Sequence, residues 1–281
     1  VPLEMLIVRL PVMAIEPVVV EVPGAALQSD DGEFQFRIYR FETPLAPGEK
    51  ARLTFATRRW HKALSTTGYG TRLVENGTFL NNSEFAPIIG MNRQGLLADR
   101  ATRRRYGLEP ELRPARLEDD NARERNYLAD TDWVMSDITI STAADQVPVA
   151  PGMKVSDEVR GKRRIARFRS GAPILAFFSV QSAAYDIAAR EVQEFGEDGL
   201  RLEVYHDPQH PYNVERMLDA MEVSLGYYAA SFGPYQFDHA RIVEFPGYAQ
   251  FAQAFAGTMP WSEKMGFLAN FADPGEIDYV T

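Results

Sequence analysis

Short apolar runs broken every few residues by turn chemistry most restrict what this chain can fold into. Phe34 to Phe41 alternates, setting an apolar face against one carrying Gln35 and the arginines. Leu6 to Val12 and Val18 to Val22 are β-branched and aliphatic, and Ala51 to Thr57 alternates again after a Pro47-Gly48 turn. Tyr69 to Val74 and Thr78 to Leu80 flank Asn76-Gly77, a hairpin signal. After residue 126 the pattern resumes in Trp133 to Thr142, Arg163 to Arg169, Ile174 to Val180 and Leu200 to Val204. Gln146 to Lys154, with two prolines and a glycine, is an edge or bend, and Tyr185 to Glu194 fits either strand or helix. Roughly ten short strands with frequent turns predict an antiparallel β-sandwich over residues 1–205.

The period changes once. Val214, Met217, Leu218, Met221, Leu225 and Tyr228 recur at helical spacing, between Asn213 as N-cap and the stop Gly233-Pro234. Strands at 240–245 and 256–261 follow. Helix then strand is a different grammar, and residues 206–281 are expected to open a second, mixed α/β domain.

Composition excludes several classes. The 281 residues are 45% hydrophobic and 25% charged, which fits a globular chain. A net charge of −9 argues against nucleic acid as a partner. Without cysteine there is no disulfide, thiolate ligand or cysteine nucleophile. No apolar run is long enough to span a bilayer. Residues 93–126 mix arginines with acids and read as a solvated, salt-bridged face. His206 and His210 are four apart, but Pro208 and Pro211 forbid the helix that would present both, so they read as linker residues. His61 and His239 stand alone. No H-E-x-x-H, Walker loop or G-x-G-x-x-G occurs. No catalytic residue and no metal ligand is therefore expected within this stretch.

The segment Arg241 to Glu263, RIVEFPGYAQFAQAFAGTMPWSE, begins as a short strand and continues uncharged, aromatic and small. Such a segment suits an edge strand beside a groove, to which an extended peptide adds by main-chain hydrogen bonds. A buried strand with a glycine-marked bulge is the alternative.

This stretch resembles the groove strand of zinc metallopeptidases of the aminopeptidase N type, which are thermolysin-like. That family writes V-x-x-P-D-F-x-x-G-A-M-E-N-x-G-L-x-x-Y-R-E. Laid without a gap, the pattern matches Pro246, Gly257 and Glu263, with Trp261 aromatic for aromatic. The family glutamate that grips a substrate's free amine falls on Ala254, its leading glycine falls on Phe251, and the family's P-C-x-D-E-P signature is absent. The resemblance implies a saddle-like β-domain followed by the truncated start of a thermolysin-like domain. It implies a fragment of a peptidase acting on peptides, whose zinc ligands lie beyond residue 281. Gln250, Gln253, Ala254, Phe255, Gly257, Thr258 and Met259 would line its substrate cleft. Zinc would belong to the intact parent and not to this chain, which alone would be inactive. The remaining partners implied are the rest of the same polypeptide, with its metal helix, and a membrane permease region of a bacterial protein. A non-catalytic module that binds a peptide or protein stays open as the second reading.

Overall fold

A computed structural model describes residues 2–11, 18–59, 72–90, 97–110, 116, 118–120, 133–193, 199–273, 275 and 277–280. His61, the 69–71 part of one expected strand, Val12, Glu194 and much of the Arg-rich 93–126 stretch lie outside them. The chain is mainly β, built from several antiparallel sheets and one mixed sheet. It divides into two compact units, residues 1–59 with 83–131 and residues 60–82 with 132–281.

In the first unit Ala25–Asp31, Phe36–Leu45, Leu3–Arg9 and Ile88–Ile89 form one antiparallel sheet in that order. Val19–Glu21 pairs separately with Thr54–Ala56. Val8, Val22, Tyr39 and Phe41 make its core. The fully buried positions of the 36–45 strand are thus Tyr39 and Phe41, while Phe36 and Ile38 are only half-buried. Two adjacent apolar residues, Ile38 and Tyr39, shift the phase of the alternation. The helix Arg100–Arg105 has Asp99 at its N-cap, whose carboxylate accepts the Thr102 N–H.

The second unit holds two three-stranded antiparallel sheets. Val147–Val149, Ser179–Ala183 and Thr78–Asn81 form one, and Met153–Arg160, Arg163–Arg169 and Asp137–Ala143 the other. The hairpin expected around Asn76-Gly77 does not form among the described residues. Residues 72–74 are not strand, and Thr78–Asn81 pairs with Ser179–Ala183 instead. The Thr78 hydroxyl donates to the Val74 carbonyl, and Asn76 Oδ1 accepts the Ala184 N–H, so this turn is spent on a distant strand. The run 174–180 is likewise interrupted, into Ile174–Leu175 and Ser179–Ala183.

The mixed sheet orders Asp186–Val192, Leu200–His206, His239–Phe245 and Thr258–Ser262. The first pair is antiparallel and the next two are parallel. His206, where the sequence placed the start of a second domain, is the last residue of its second strand. Val214–Phe232 is the crossover helix between parallel neighbours. Val214, Met217, Leu218 and Met221 pack with Leu200, Leu202, Val204, Ala240, Ile242 and Phe267. Leu225 is half-buried, but Tyr228, expected on the same face, is exposed. The sheet's other face closes on Val147, Val149, Ala183 and Tyr185 through Tyr205 and Val243. Asn213 stands at the N-cap, but its amide does not cap. It donates to the carbonyls of Gly266 and Ala269, tying the helix start to the segment after the last strand.

Candidate functional site

The last strand is not the outer limit of the mixed sheet. Phe251 to Phe255 folds back on Thr258–Ser262 as an antiparallel arm, with bridges at Ala252–Trp261 and Phe255–Thr258. Phe255 and Thr258 exchange both main-chain hydrogen bonds, 2.9 and 3.2 Å, around the turn Ala256-Gly257. That turn needs a positive φ at its second central residue, and Gly257 supplies 63°. The Gln253 N–H donates to the Pro260 carbonyl and the Ser262 N–H to the Phe251 carbonyl. Pro260 has no N–H to return, so one rung of this ladder is missing by chemistry. Phe251 locks the arm down, 4.7 Å from the Phe245 ring and 5.6 Å from Phe79, with the Arg72 guanidinium 5.4 Å from its centroid.

The residues expected to line a cleft therefore have different surroundings. Gln250 and Ala254 are exposed, while Gln253 and Phe255 are half-buried. Phe255 meets Phe177 edge-on at 4.8 Å, and the Gln253 amide donates to the Ala254 carbonyl. Gly257 and Thr258 are buried, and half-buried Met259 packs on the core beneath the helix. Because Gln253 and Phe255 point their N–H groups inward, the main-chain groups of Ala252 and Ala254 face away from the sheet. Ala252 went unnoticed in the sequence; the signal for it is the alternation of the arm, counted from Gln253.

The strand His239–Phe245 is buried throughout and carries three titratable side chains. Arg241, 2% exposed, donates to the carbonyls of Ala150 and Gly152, and its Nε lies 3.7 Å from Glu203. Burial lowers its pKa. His239 is also 2% exposed, and its pKa is lowered to about 4, first by burial and then by the Arg241 charge. It is therefore neutral near pH 7, so its 2.8 Å contact with Asp238 is a hydrogen bond from Nδ1–H rather than an ion pair. Its Nε2 has no partner. A Cβ on Gly257 would fall 2.7 Å from that atom, so glycine there accommodates the imidazole.

At the strand's other end Glu244 meets His210, 2.5 Å from Nδ1 to Oε1, and accepts the Asp207 N–H at 2.6 Å. Burial raises the Glu244 pKa against both of those contacts. Burial lowers that of His210, but the Glu244 hydrogen bond and charge outweigh it and raise it. The two shifts favour opposite forms of the pair. With Asp207 and Glu263 adding negative charge, we take imidazolium and carboxylate. The prolines around His210 do prevent a helix, yet a loop delivers it to a strand 34 residues away.

No protein-family model and no curated protein matches the sequence. Among solved structures, the fold is similar to an M1 zinc metallopeptidase point mutant from Deinococcus radiodurans, with TM-score 0.54 and 13% identity over 93% of this chain and 53% of that one. The M1 zinc metallopeptidase from the same organism gives 0.52 and 14% over 92% and 52%. Its mutant bound to a Tyr-Ser-Ala substrate gives 0.51 and 13% over 92% and 52%. The chain thus spans about half the length of these structures, and at this identity the likeness concerns the fold.

Among the described residues, none fit a zinc of the two-histidine helical pattern. The helix Val214–Phe232 carries no histidine. His206 Nδ1 faces the Asp207 carbonyl, and His239 is sealed beneath Gly257.

Proposed function

We propose that this chain is part of a zinc-dependent metallopeptidase acting on peptides. In this reading the β-sheets before residue 206 form its non-catalytic β-domain, and residues 206–281, with the strands they pair to, open its catalytic-type domain. The metal ligands, and any permease region, would lie elsewhere in the same polypeptide. The observation that carries the reading is the arm 251–255, whose outward main-chain groups at Ala252 and Ala254 suit an added extended strand. Fold similarity to M1 zinc metallopeptidases, one of them bound to a tripeptide substrate, supports it. Gln250, Gln253, Ala254 and Phe255 would border the added peptide. Gly257, Thr258 and Met259 would support the arm from within. With Ala254 where the resembled family keeps a carboxylate, selectivity for a free N-terminus would be weak.

Fluorescence anisotropy with a labelled unstructured peptide tests this. Ala254→Pro removes an outward N–H without touching a bond to the sheet, and should weaken binding about tenfold or more. Ala254→Glu should shift preference toward peptides with a free amine over acetylated ones. Binding indifferent to both substitutions would end the proposal. A non-catalytic interaction module is the second reading, favoured by Ala254 standing where the resembled family keeps the carboxylate that grips a substrate's amine. Chelator-sensitive hydrolysis of aminoacyl amides by the full-length polypeptide would exclude it.

A further inference from the structure

The geometry points to a site for one divalent transition-metal ion held by His210, Glu244 and Glu263. One donor atom from each lies within 4.8 Å of the others. The three come from one end of the mixed sheet. Glu244 is the penultimate residue of the strand His239–Phe245, and Glu263 directly follows Thr258–Ser262. His210 lies in the loop that leaves Leu200–His206. These strands are parallel neighbours, so their carboxyl ends open together, where sheets of this kind place ligands.

Charge is the second observation. Glu244 has a side chain 4% exposed, with Glu263 beside it and Asp207 adjoining. Among the described residues no lysine or arginine pairs with Glu244 or Glu263. A single imidazolium offsets only one carboxylate, whereas a divalent ion offsets two and leaves the imidazole neutral as a ligand. The carboxylates are already oriented. Glu244 Oε2 accepts the Asp207 N–H, and Glu263 Oε1 accepts the Gly247 N–H at 2.8 Å. Backbone bonds of this kind fix ligand direction around metals.

Space is the third. A cavity of about 30 Å³ adjoins Asp207, Glu244 and Glu263, with Tyr185 and Pro246 also lining it. That volume holds a water able to complete the coordination. Bonds of roughly 2.0–2.2 Å place tetrahedral ligands about 3.4 Å apart, so donors as far as 4.8 Å apart must close by about 1.4 Å, and the His210–Glu244 pair, now 2.5 Å apart, must open by about 0.9 Å. One imidazole with two carboxylates suits zinc, cobalt or manganese better than calcium or magnesium, which prefer oxygen alone. The ion would fasten the loops that follow three strands, and its ligand set differs from the helical two-histidine pattern.

Calorimetric titration of the chelator-stripped chain with Zn²⁺, and with Co²⁺ followed by visible absorption, tests the assignment. We expect one equivalent of each, a cobalt spectrum showing nitrogen and oxygen ligation, and at least tenfold weaker binding in His210→Gln and Glu263→Gln. Glu263→Gln retains the acceptor for Gly247 and carries the test should His210→Gln fail to fold. No binding at micromolar metal would overturn the site. So would binding unchanged by Glu263→Gln.

Discussion

One strand, His239–Phe245, buries ionisable groups at both ends and treats them in opposite ways. At the start Arg241 donates to two carbonyls and lies 3.7 Å from Glu203, while neutral His239 bonds Asp238 and presents an unpartnered Nε2 to the bare Cα of Gly257. At the finish Glu244 is set among further acids, with one imidazole and a small cavity. A charge compensated by its own fold is a structural device; a charge left in surplus beside a cavity calls for a ligand. Substitution separates the two. Arg241→Met leaves two carbonyls without their donor and removes one of the two cations on Glu203, and should cost about 3–5 kcal/mol in urea unfolding. Glu244→Gln in the metal-free chain should cost less, about 1–2 kcal/mol: it removes a surplus charge, but the amide keeps one acceptor oxygen where Glu244 accepts from both the Asp207 N–H and the His210 ring. Equal losses at both ends would erase the contrast.

His239 gives the contrast a pH signature. Its folded pKa is depressed to about 4, against about 6.5 for a free imidazole. Between those values the unfolded chain binds more protons than the folded one, so stability rises with pH there. It is fully present above pH 6.5 and is lost as pH falls toward 4, by roughly 3 kcal/mol over the window. Denaturant midpoints at closely spaced pH values read this directly. His239→Gln should flatten the slope, and an unchanged slope would assign the acid sensitivity to other groups.

What the sequence disclosed follows the range of the interactions. The helix and some strands obey local periodicity, so Val214–Phe232 and Arg163–Arg169 stand where they were expected, while strands such as Leu3–Arg9 and Thr54–Ala56 differ in their edges. The Asn76-Gly77 hairpin misled because a long-range partner outcompeted the local one. Tyr228 has the right spacing but lies beyond the part of the helix that the sheet covers. The arm 251–255 was legible as extended from its small, uncharged composition, whereas its outward Ala252 was not. Least legible was the meeting of His210 with Glu244 and Glu263, since it depends on parallel pairing of strands far apart in sequence. Pro208 and Pro211 were read correctly as barring a helix, but a loop at a sheet's end serves as well to deliver one ligand.

Two glycines sharpen the contrast at the smallest scale. Both sit where an added methyl would meet a titratable side chain at 2.7 Å, Gly257 against His239 Nε2 and Gly247 against Glu263 Oε1. Gly257 also has a positive φ and faces a ring and a backbone carbonyl that cannot retreat. Gly257→Ala should therefore cost about 2 kcal/mol. At Gly247 the obstructing atoms are the ends of Glu263 and Lys264, which can swing away. Gly247→Ala should lose less than about 1 kcal/mol in the metal-free chain. It would nevertheless turn Glu263 from its cradle, so zinc affinity should fall while the fold persists. Parallel thermal unfolding and zinc titration of the two variants give the decisive pattern, with stability lost at one end of the strand and ligand affinity at the other. A Gly247→Ala chain that binds zinc like the parent would mean that Glu263 takes no part in the site.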